Sequence, residues 1–562
     1  MGDRNKKQWR RKMKRRSKVL VATLTMATLL FAACGTDETD VKPTEAPVAT
    51  EAPTATPEPT ATPEPTPSPT PAPKAVSEWL SEMTLAETMK PLGTDTPLMT
   101  QRFGADPCAL VYDGRVYIYM TGDRIEYDSS ANPKDNSYSK INTLNVISSD
   151  DLVNWTDHGT IYAAGRDGAA KWGGNSWAPA AACKEIDGEM KFFLYFANGG
   201  NGIGVLTSDS PAGPFKDPIG QALISRSTPN CANVDWLFDP AVMVDDDGSA
   251  YIYFGGGVPQ GKAANPGTGR MAKLGDDMVS LACDPVAFDI PYLFEDSGIN
   301  KVGDNYIYSY CTNWSVDAAG TAEYGFTNAN IAYMVSDNPM GPFTYAGVAL
   351  KHPGNYFAGD YNNNHHAIFE FNDEWYITYH TRILADDYGV SGLNYRSTHV
   401  TKINVNEEDL FETVQKADTK SLVQQKHFNP YAKVEAETMA TMAGINTTQE
   451  GMISKSFGSG NMVLNQIHNG DWLALYGVDF GETGASKFMA AVNAKKNTRG
   501  AIQIRLDSLD GKVVGCLEFG ENADGKTFEE VTAELSEKVT GVHDLIFVFV
   551  GEGYTVDYWQ FQ

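Results

Sequence analysis

Tyr112-Asp-Gly-Arg-Val-Tyr-Ile-Tyr119 joins an Asp-Gly turn to a strand of alternating aromatic and β-branched residues. The same device returns as Ile186-Asp-Gly-Glu-Met-Lys-Phe-Phe-Leu-Tyr195, Asp246-Asp-Gly-Ser-Ala-Tyr-Ile-Tyr253, Val302-Gly-Asp-Asn-Tyr-Ile-Tyr308 and Phe371-Asn-Asp-Glu-Trp-Tyr-Ile-Thr-Tyr379. Asp-Gly between apolar runs is a strong hairpin signal. A second element follows several copies, as Val146-Ile-Ser-Ser-Asp150, Val205-Leu-Thr-Ser-Asp209 and Met334-Val-Ser-Asp337. Five copies, 56 to 74 residues apart, with strand material on both sides and no long helical periodicity, predict an all-β chain built on a five-bladed β-propeller. A plain β-sandwich would not explain the five-fold recurrence.

Outward from the repeat, a break near His427-Phe-Asn-Pro-Tyr431 precedes a second β-rich stretch. It runs from Val434-Glu-Ala-Glu437 to Tyr554-Thr-Val-Asp-Tyr-Trp-Gln-Phe561 and predicts a β-sandwich (jelly-roll) whose ends are neighbours. In the other direction, the Pro/Thr-rich run over residues 41–74 is extended and cannot pack a core. The predicted organisation is a signal segment at 1–33, a linker at 34–78, the propeller at 79–430 and the sandwich module at 431–562.

The N-terminus reads as a targeting signal. A basic stretch precedes an apolar run from Val19 to Ala33, which ends Leu-Phe-Ala-Ala-Cys34. That run suits a signal-peptide core better than a membrane span. Small residues just before a cysteine resemble the bacterial lipoprotein cleavage site, which implies that Cys34 is lipidated and the chain is exported and anchored to the outer side of the membrane; secretion is the alternative. Past residue 33 the chain holds 35 basic and 70 acidic residues. A surface that negative repels phosphate backbones and anionic lipids, so nucleic acid is excluded as a partner and the membrane enters only through the lipid. The other six cysteines show neither Cys-x-x-Cys pairs nor regular spacing, so no zinc site or dense disulfide framework is expected.

Three carboxylates stand among apolar or small residues just before a repeat: Asp106 in Phe-Gly-Ala-Asp-Pro-Cys, Asp239 in Trp-Leu-Phe-Asp-Pro-Ala and Glu295 in Tyr-Leu-Phe-Glu-Asp-Ser-Gly. Burying an acid is costly unless it is paired or used. The inner strands of a propeller converge on its axis, so acids distant in sequence can share one pocket. Glycoside hydrolysis needs such a pair. These motifs, with Trp177-Ala-Pro-Ala180 and Asn364-His365-His366-Ala367, resemble glycoside hydrolase family 43. The resemblance implies Asp106 as general base, Glu295 as general acid, Asp239 as the third acid that tunes it, and inversion at the anomeric carbon. It also implies that His365 or His366, with His365 favoured, approaches a calcium ion in the propeller channel. Arg396 resembles an arginine that reaches the active site, where it would bond sugar hydroxyls or orient a carboxylate. Trp236 and Trp314 are candidate walls of the sugar pocket.

Within that family, Phe294-Glu-Asp-Ser-Gly-Ile-Asn-Lys301 and Asn362-Asn-Asn-His-His-Ala367 most resemble the arabinoxylan arabinofuranohydrolase branch. This implies removal of arabinofuranosyl side chains from plant cell-wall polysaccharide, with no organic cofactor. β-Xylosidase or endo-xylanase/arabinanase activity on the same fold is the alternative, and a non-catalytic glycan-binding lipoprotein is the reading from another class; retention of all three acids argues against the last. The C-terminal stretch resembles a family 6 carbohydrate-binding module, which implies a structural calcium on Glu435, Glu437 and Asp557. Thr555 and the stretch 525–530 depart from that family's glycan cleft, so weak glycan binding is expected there.

Overall fold

A computed structural model describes residues 73–357, 363–450, 460–520 and 523–562. The signal segment, Cys34 and nearly all of the expected linker lie outside the described residues.

The Asp-Gly turns form where the sequence places them. Asp113 and Gly114 both take left-handed backbone (φ 48° and 69°), as do Asp187 and Gly188 (55° and 81°) and Asn372 and Asp373 (52° and 62°). Two left-handed residues in a row give the hairpin turn whose twist matches its strands. Each hairpin opens an antiparallel sheet. The first holds Ala105–Tyr112, Arg115–Thr121, Leu144–Ser149 and Trp155–Ile161; the second starts at Trp177–Ile186, the third at Ala241–Val244, the fourth at Leu293–Val302 and the fifth at His366–Phe371. The second, third and fourth hold four strands in sequential order, and the fifth has three. The first strand of each sheet packs against the first strand of the next, and that of the fifth sheet packs against that of the first. Apolar side chains fill the spaces between sheets, with Tyr119, Phe196 and Phe215 between the first and second, and Tyr253, Tyr308 and Tyr310 between the third and fourth.

A local irregularity recurs at the start of these first strands. Asp106, Ala178, Asp239 and Asp296 all have left-handed backbone, with φ of 46°, 39°, 48° and 69°. In the first, second and fourth sheets the pairing register shifts at the same point. Such bulges re-aim side chains and are frequent beside active sites. Asp106, Asp239 and Asp296 are therefore the equivalent residues, and Glu295 stands one position earlier.

The C-terminal stretch forms two sheets that share one core. One contains Tyr554–Phe561 beside Ala485–Ala494, with Val434–Glu435 on its flank; the other contains Trp472–Asp479, Val542–Val550 and Gly500–Leu506. Phe488, Trp559 and Phe561 of the first meet Leu475, Ile504 and Phe547 of the second. This part does not stand apart from the five sheets. Thr438–Met439 pairs with Trp155–Thr156 and becomes a fifth strand of the first sheet.

The segment entering the fold also lies on the C-terminal sheets. The helix Val76–Glu82 packs on Val550 and Ala501. Beyond it, Ala86 accepts from Trp472 Nε1 (2.9 Å), and its own N–H donates to Gly470 O (2.9 Å). Gly470 is required there: a Cβ would sit 2.1 Å from Thr84 O. Residues 79–90, expected to belong to the propeller, thus pack first against the C-terminal part. Among the described residues all six cysteines are free, and no helix is long and apolar enough to cross a membrane.

Candidate active site

The left-handed starts of the first and third sheets and the adjacent Glu295 bring Asp106, Asp239 and Glu295 around one imidazole. His365 Nδ1 lies 3.6 Å from Asp106 Oδ1 and 3.5 Å from Asp296 Oδ1, while Nε2 lies 3.6 Å from Glu295 Oε1 and 3.7 Å from Asp239 Oδ2. All five side chains are nearly buried. These are ion-pair separations, longer than hydrogen bonds. Glu295 Oε1 is buried and makes no hydrogen bond.

The two neighbouring histidines divide. His366 is fully committed, with Nδ1 2.5 Å from Asp296 Oδ2 and Nε2 2.7 Å from Ser309 Oγ. His365 is the one that faces the three expected acids. Asp296 also accepts the His366 N–H, and its own N–H donates to Asp239 Oδ2 (3.0 Å each).

Arg396 is bonded to two carboxylates. Nη1 donates to Asp106 Oδ1 (2.6 Å); Nε and Nη2 form a bidentate pair with Asp123 (2.9 Å each). Its guanidinium lies 4.8 Å from the centre of the Tyr138 ring. His380 accepts the Asp106 N–H on Nδ1 (3.1 Å) and faces Asn363 O with Nε2 (3.0 Å). That tautomer is neutral, and burial together with Arg396 holds His380 well below ordinary imidazole.

The electrostatics separate the acids. Burial opposes ionisation of Asp106, but the Arg396 guanidinium, helped by His365, holds its carboxyl well below the usual range. Burial pushes Glu295 up, and the charges of Asp106 and Asp296 add to that push. Asp239 is driven well above its ordinary value by burial, reinforced by Glu295 and Asp106. His365 is disfavoured as a cation by burial, yet Asp106, Asp296 and Asp239 raise it well above ordinary imidazole. The pocket thus favours the ionised form of Asp106 and disfavours that of Glu295 and Asp239, the asymmetry that acid–base catalysis requires.

Beside the acids stands an aromatic wall. Trp236 and Trp314, each 37% exposed, flank Phe294, with ring centres 5.3 and 5.2 Å apart. Phe294 immediately precedes Glu295 and was not singled out in the sequence. Asp123, His380 and Asp296 were also missed. Asp296 carried a legible signal, because Glu295-Asp296 aligns with Ala105-Asp106 and Phe238-Asp239; Asp123 and His380 carried none.

Glu435, Glu437 and Asp557 lie near one another. Glu435 pairs in register with Tyr558, and Ala436 N–H donates to Asp557 O (2.8 Å). Glu435 Oε2 and Glu437 Oε2 are buried without hydrogen-bond partners. Burial raises both groups, Glu437 strongly, with Asp557 contributing to each. The depression lined by Ala494, Phe519, Asp524 and Thr527 encloses about 10 Å³, room for one water at most.

Residues 94–411 match the model of glycosyl hydrolases family 43, and residues 435–562 that of carbohydrate binding module family 6. An arabinoxylan arabinofuranohydrolase of Paenibacillus polymyxa is 48% identical over 487 residues, covering 84% of this chain and 74% of the relative. One from Bacillus subtilis (strain 168) is 47% identical over 492 residues, covering 84% of this chain and 93% of the relative. The crystal structure of a family 43 arabinoxylan arabinofuranohydrolase from Bacillus subtilis in complex with cellotetraose superposes with a TM-score of 0.79 at 45% identity, covering 84% of this chain and 99% of that one.

Proposed function

The chain belongs to glycosyl hydrolase family 43, and from that premise we propose that it removes α-L-arabinofuranosyl side chains from arabinoxylan with inversion. The observation that carries the proposal is the opposite treatment of two carboxyls around His365: Asp106 is held ionised and Glu295 is pushed toward its protonated form. The two relatives that match most of the chain supply the sugar and the polymer.

In this reading Asp106 takes a proton from water as the water attacks the anomeric carbon. Glu295 gives its proton to the departing xylan oxygen. The closest contacts of Asp106 with Arg396, His365 and His380 fall on Oδ1, and Thr121 also bonds its carboxylate, so the base is held in one orientation for the water. Asp239, held protonated beside Glu295, donates to a sugar hydroxyl and keeps a second negative charge away from the acid. Trp236, Phe294 and Trp314 offer apolar faces to the sugar chain. The five sheets, whose first strands neighbour one another in a cycle, support a five-bladed propeller spanning 79–430; two sheets on one core support a β-sandwich at 431–562.

For the metals, the residues divide. Glu435 and Glu437 fit calcium, since buried carboxylate oxygens without partners are the ligands a hard cation takes, and Asp557, whose Oδ1 accepts from Asn461 Nδ2, would complete the set. When bound, the ion would neutralise acids that burial otherwise protonates. His365 does not fit a channel calcium. One ligand atom each from Asp239, Glu295 and His365 lies within 4.8 Å of the others, but an imidazole is a poor ligand for a hard cation that takes oxygen donors. We propose export and a lipid on Cys34 from the sequence of the N-terminus alone, with plant arabinoxylan as the partner of the mature enzyme.

Comparing a chromogenic α-L-arabinofuranoside with the matching β-xyloside tests the activity. Release of aryl alcohol from the arabinoside in large excess is expected. Preference for the xyloside points to the xylosidase reading, and no turnover of either, with none on arabinoxylan, to a binding protein.

A further inference from the structure

Asp123 has no part in the acid–base pair, yet it is the most heavily bonded acid near it. It follows the second strand of the first sheet, whose end Thr121 pairs with Ala105, so Asp123 and Asp106 emerge at the same end of adjacent strands. Its side chain is completely buried. It accepts Arg396 Nε and Nη2 at 2.9 Å each and the Arg396 backbone N–H at 3.1 Å. The Arg396 carbonyl in turn accepts the N–H of Gly104, two residues before Asp106 (3.0 Å). The guanidinium is therefore fixed along one edge by Asp123, and only Nη1 is directed to Asp106.

We propose that Asp123 is a positioning residue: by clamping Arg396 it aims Nη1 at Asp106 Oδ1 and so fixes the orientation of the base's carboxylate toward the attacking water. The inference rests on the reading of Asp106 as the base. Planar, bidentate pairing is what gives an arginine–carboxylate contact its directionality. An Asn at 123 keeps the shape and one acceptor but loses the fork. Arg396 can then rotate, and a displacement of about 1 Å at a reacting group costs up to about 10²-fold in rate.

The test uses the full chain, a chromogenic aryl arabinofuranoside and three variants: Asp123→Asn, Arg396→Met and the double. Asp123→Asn is expected to lower kcat on the order of 10²-fold with KM nearly unchanged. Because Asp123 acts only through Arg396, the double variant is expected to be no slower than Arg396→Met alone, a non-additive cycle. Wild-type kcat in Asp123→Asn, a rise in KM with kcat kept, or losses that multiply in the double variant each overturn the proposal. If Asp123→Asn fails to fold, the double variant removes both charges together and its comparison with Arg396→Met still decides. Asp106→Asn separates the two levels: if it stays active the base reading has failed, whereas if it is dead and Asp123→Asn is normal only the clamp has failed.

Discussion

The backbone N–H of Asp157 donates to the carbonyl of Glu437 at 3.3 Å, tying the first sheet to the C-terminal part beside its buried acids. The Asp157 carboxylate, buried, accepts from Arg102 Nη1 (2.8 Å) and Nη2 (2.5 Å), Gln101 (2.9 Å), Gly159 N–H (2.8 Å) and Thr447 of the C-terminal part (2.5 Å). Arg102 lies four residues before Asp106. The two family-sized parts are thus joined by a shared strand and a shared buried ion pair.

That joint predicts one unfolding transition for both parts. Calorimetry of the full chain is expected to give a single peak, and Asp157→Ala to destabilise it by about 2–3 kcal/mol. The figure is reduced from the usual cost of breaking a buried pair because the Arg102 side chain is about one-fifth exposed. Two resolved transitions in the wild type would show that the shared strand couples nothing.

Asp157 also sets an acid limit. Burial works against its carboxylate, but Arg102, Thr447 and Gln101 bring its pKa from 3.8 down to about 2. A depressed folded-state pKa contributes stability that is complete above the unfolded value and is lost as pH falls through the folded one, here about 2 kcal/mol in all. The stability gap between wild type and Asp157→Asn in urea is therefore expected to be constant above about pH 4 and to shrink as the pH falls toward 2. A gap that does not change with pH would mean that Arg102 does not stabilise the ionised form.

Removing the base or the acid is expected to stop catalysis without unfolding. Asp106→Asn and Glu295→Gln should each lower kcat by about 10²–10⁴-fold on aryl arabinosides. Proton NMR of the first-formed sugar is expected to show inversion; retention would reassign Asp106 as a nucleophile.

The aromatic wall predicts a different kinetic signature. Trp236→Ala deletes a half-exposed ring beside Phe294 and leaves the acids in place. KM for arabinoxylan oligosaccharides should rise about tenfold, the equivalent of about 1.4 kcal/mol of apolar contact, while kcat on a small aryl arabinoside changes little. An unchanged KM on the oligosaccharides would remove Trp236 from the binding surface.

Chelation tests the C-terminal site. A chelator is expected to lower the melting temperature of the full chain, because an ion that binds only the folded state stabilises it by mass action. Glu437→Gln should abolish that sensitivity. A melting temperature indifferent to chelator in the wild type would leave Glu435 and Glu437 as protonated core residues.

What the sequence disclosed follows from how local each feature is. The hairpins were legible because Asp113-Gly114 and Asp187-Gly188 carry their own turn geometry. Asp106 and Asp239 were legible because an acid before proline among apolar residues is conspicuous. Glu295 was found, but its register was not: the bulge makes Asp296, not Glu295, the counterpart of Asp106. Asp123 and His380 escaped because their meaning lies in partners 273 and 274 residues away. The union of the two parts was hidden for the same reason, since nothing in Thr438-Met439 announces that it will pair with Trp155-Thr156.

The left-handed start shared by Asp106, Ala178, Asp239 and Asp296 has a consequence for how such a pocket is furnished. Among residues with a Cβ, aspartate and asparagine enter this backbone state most readily, because a short polar side chain bonds locally where a larger one clashes. The kink is a bracket whose stereochemistry favours the very side chain that sugar cleavage uses to carry protons. Ala178 occupies an identical bracket with only a methyl group mounted on it, so the chain path does not depend on which side chain is fitted. Chemistry can be exchanged at these sockets one residue at a time, and the scaffold beneath does not have to be rebuilt.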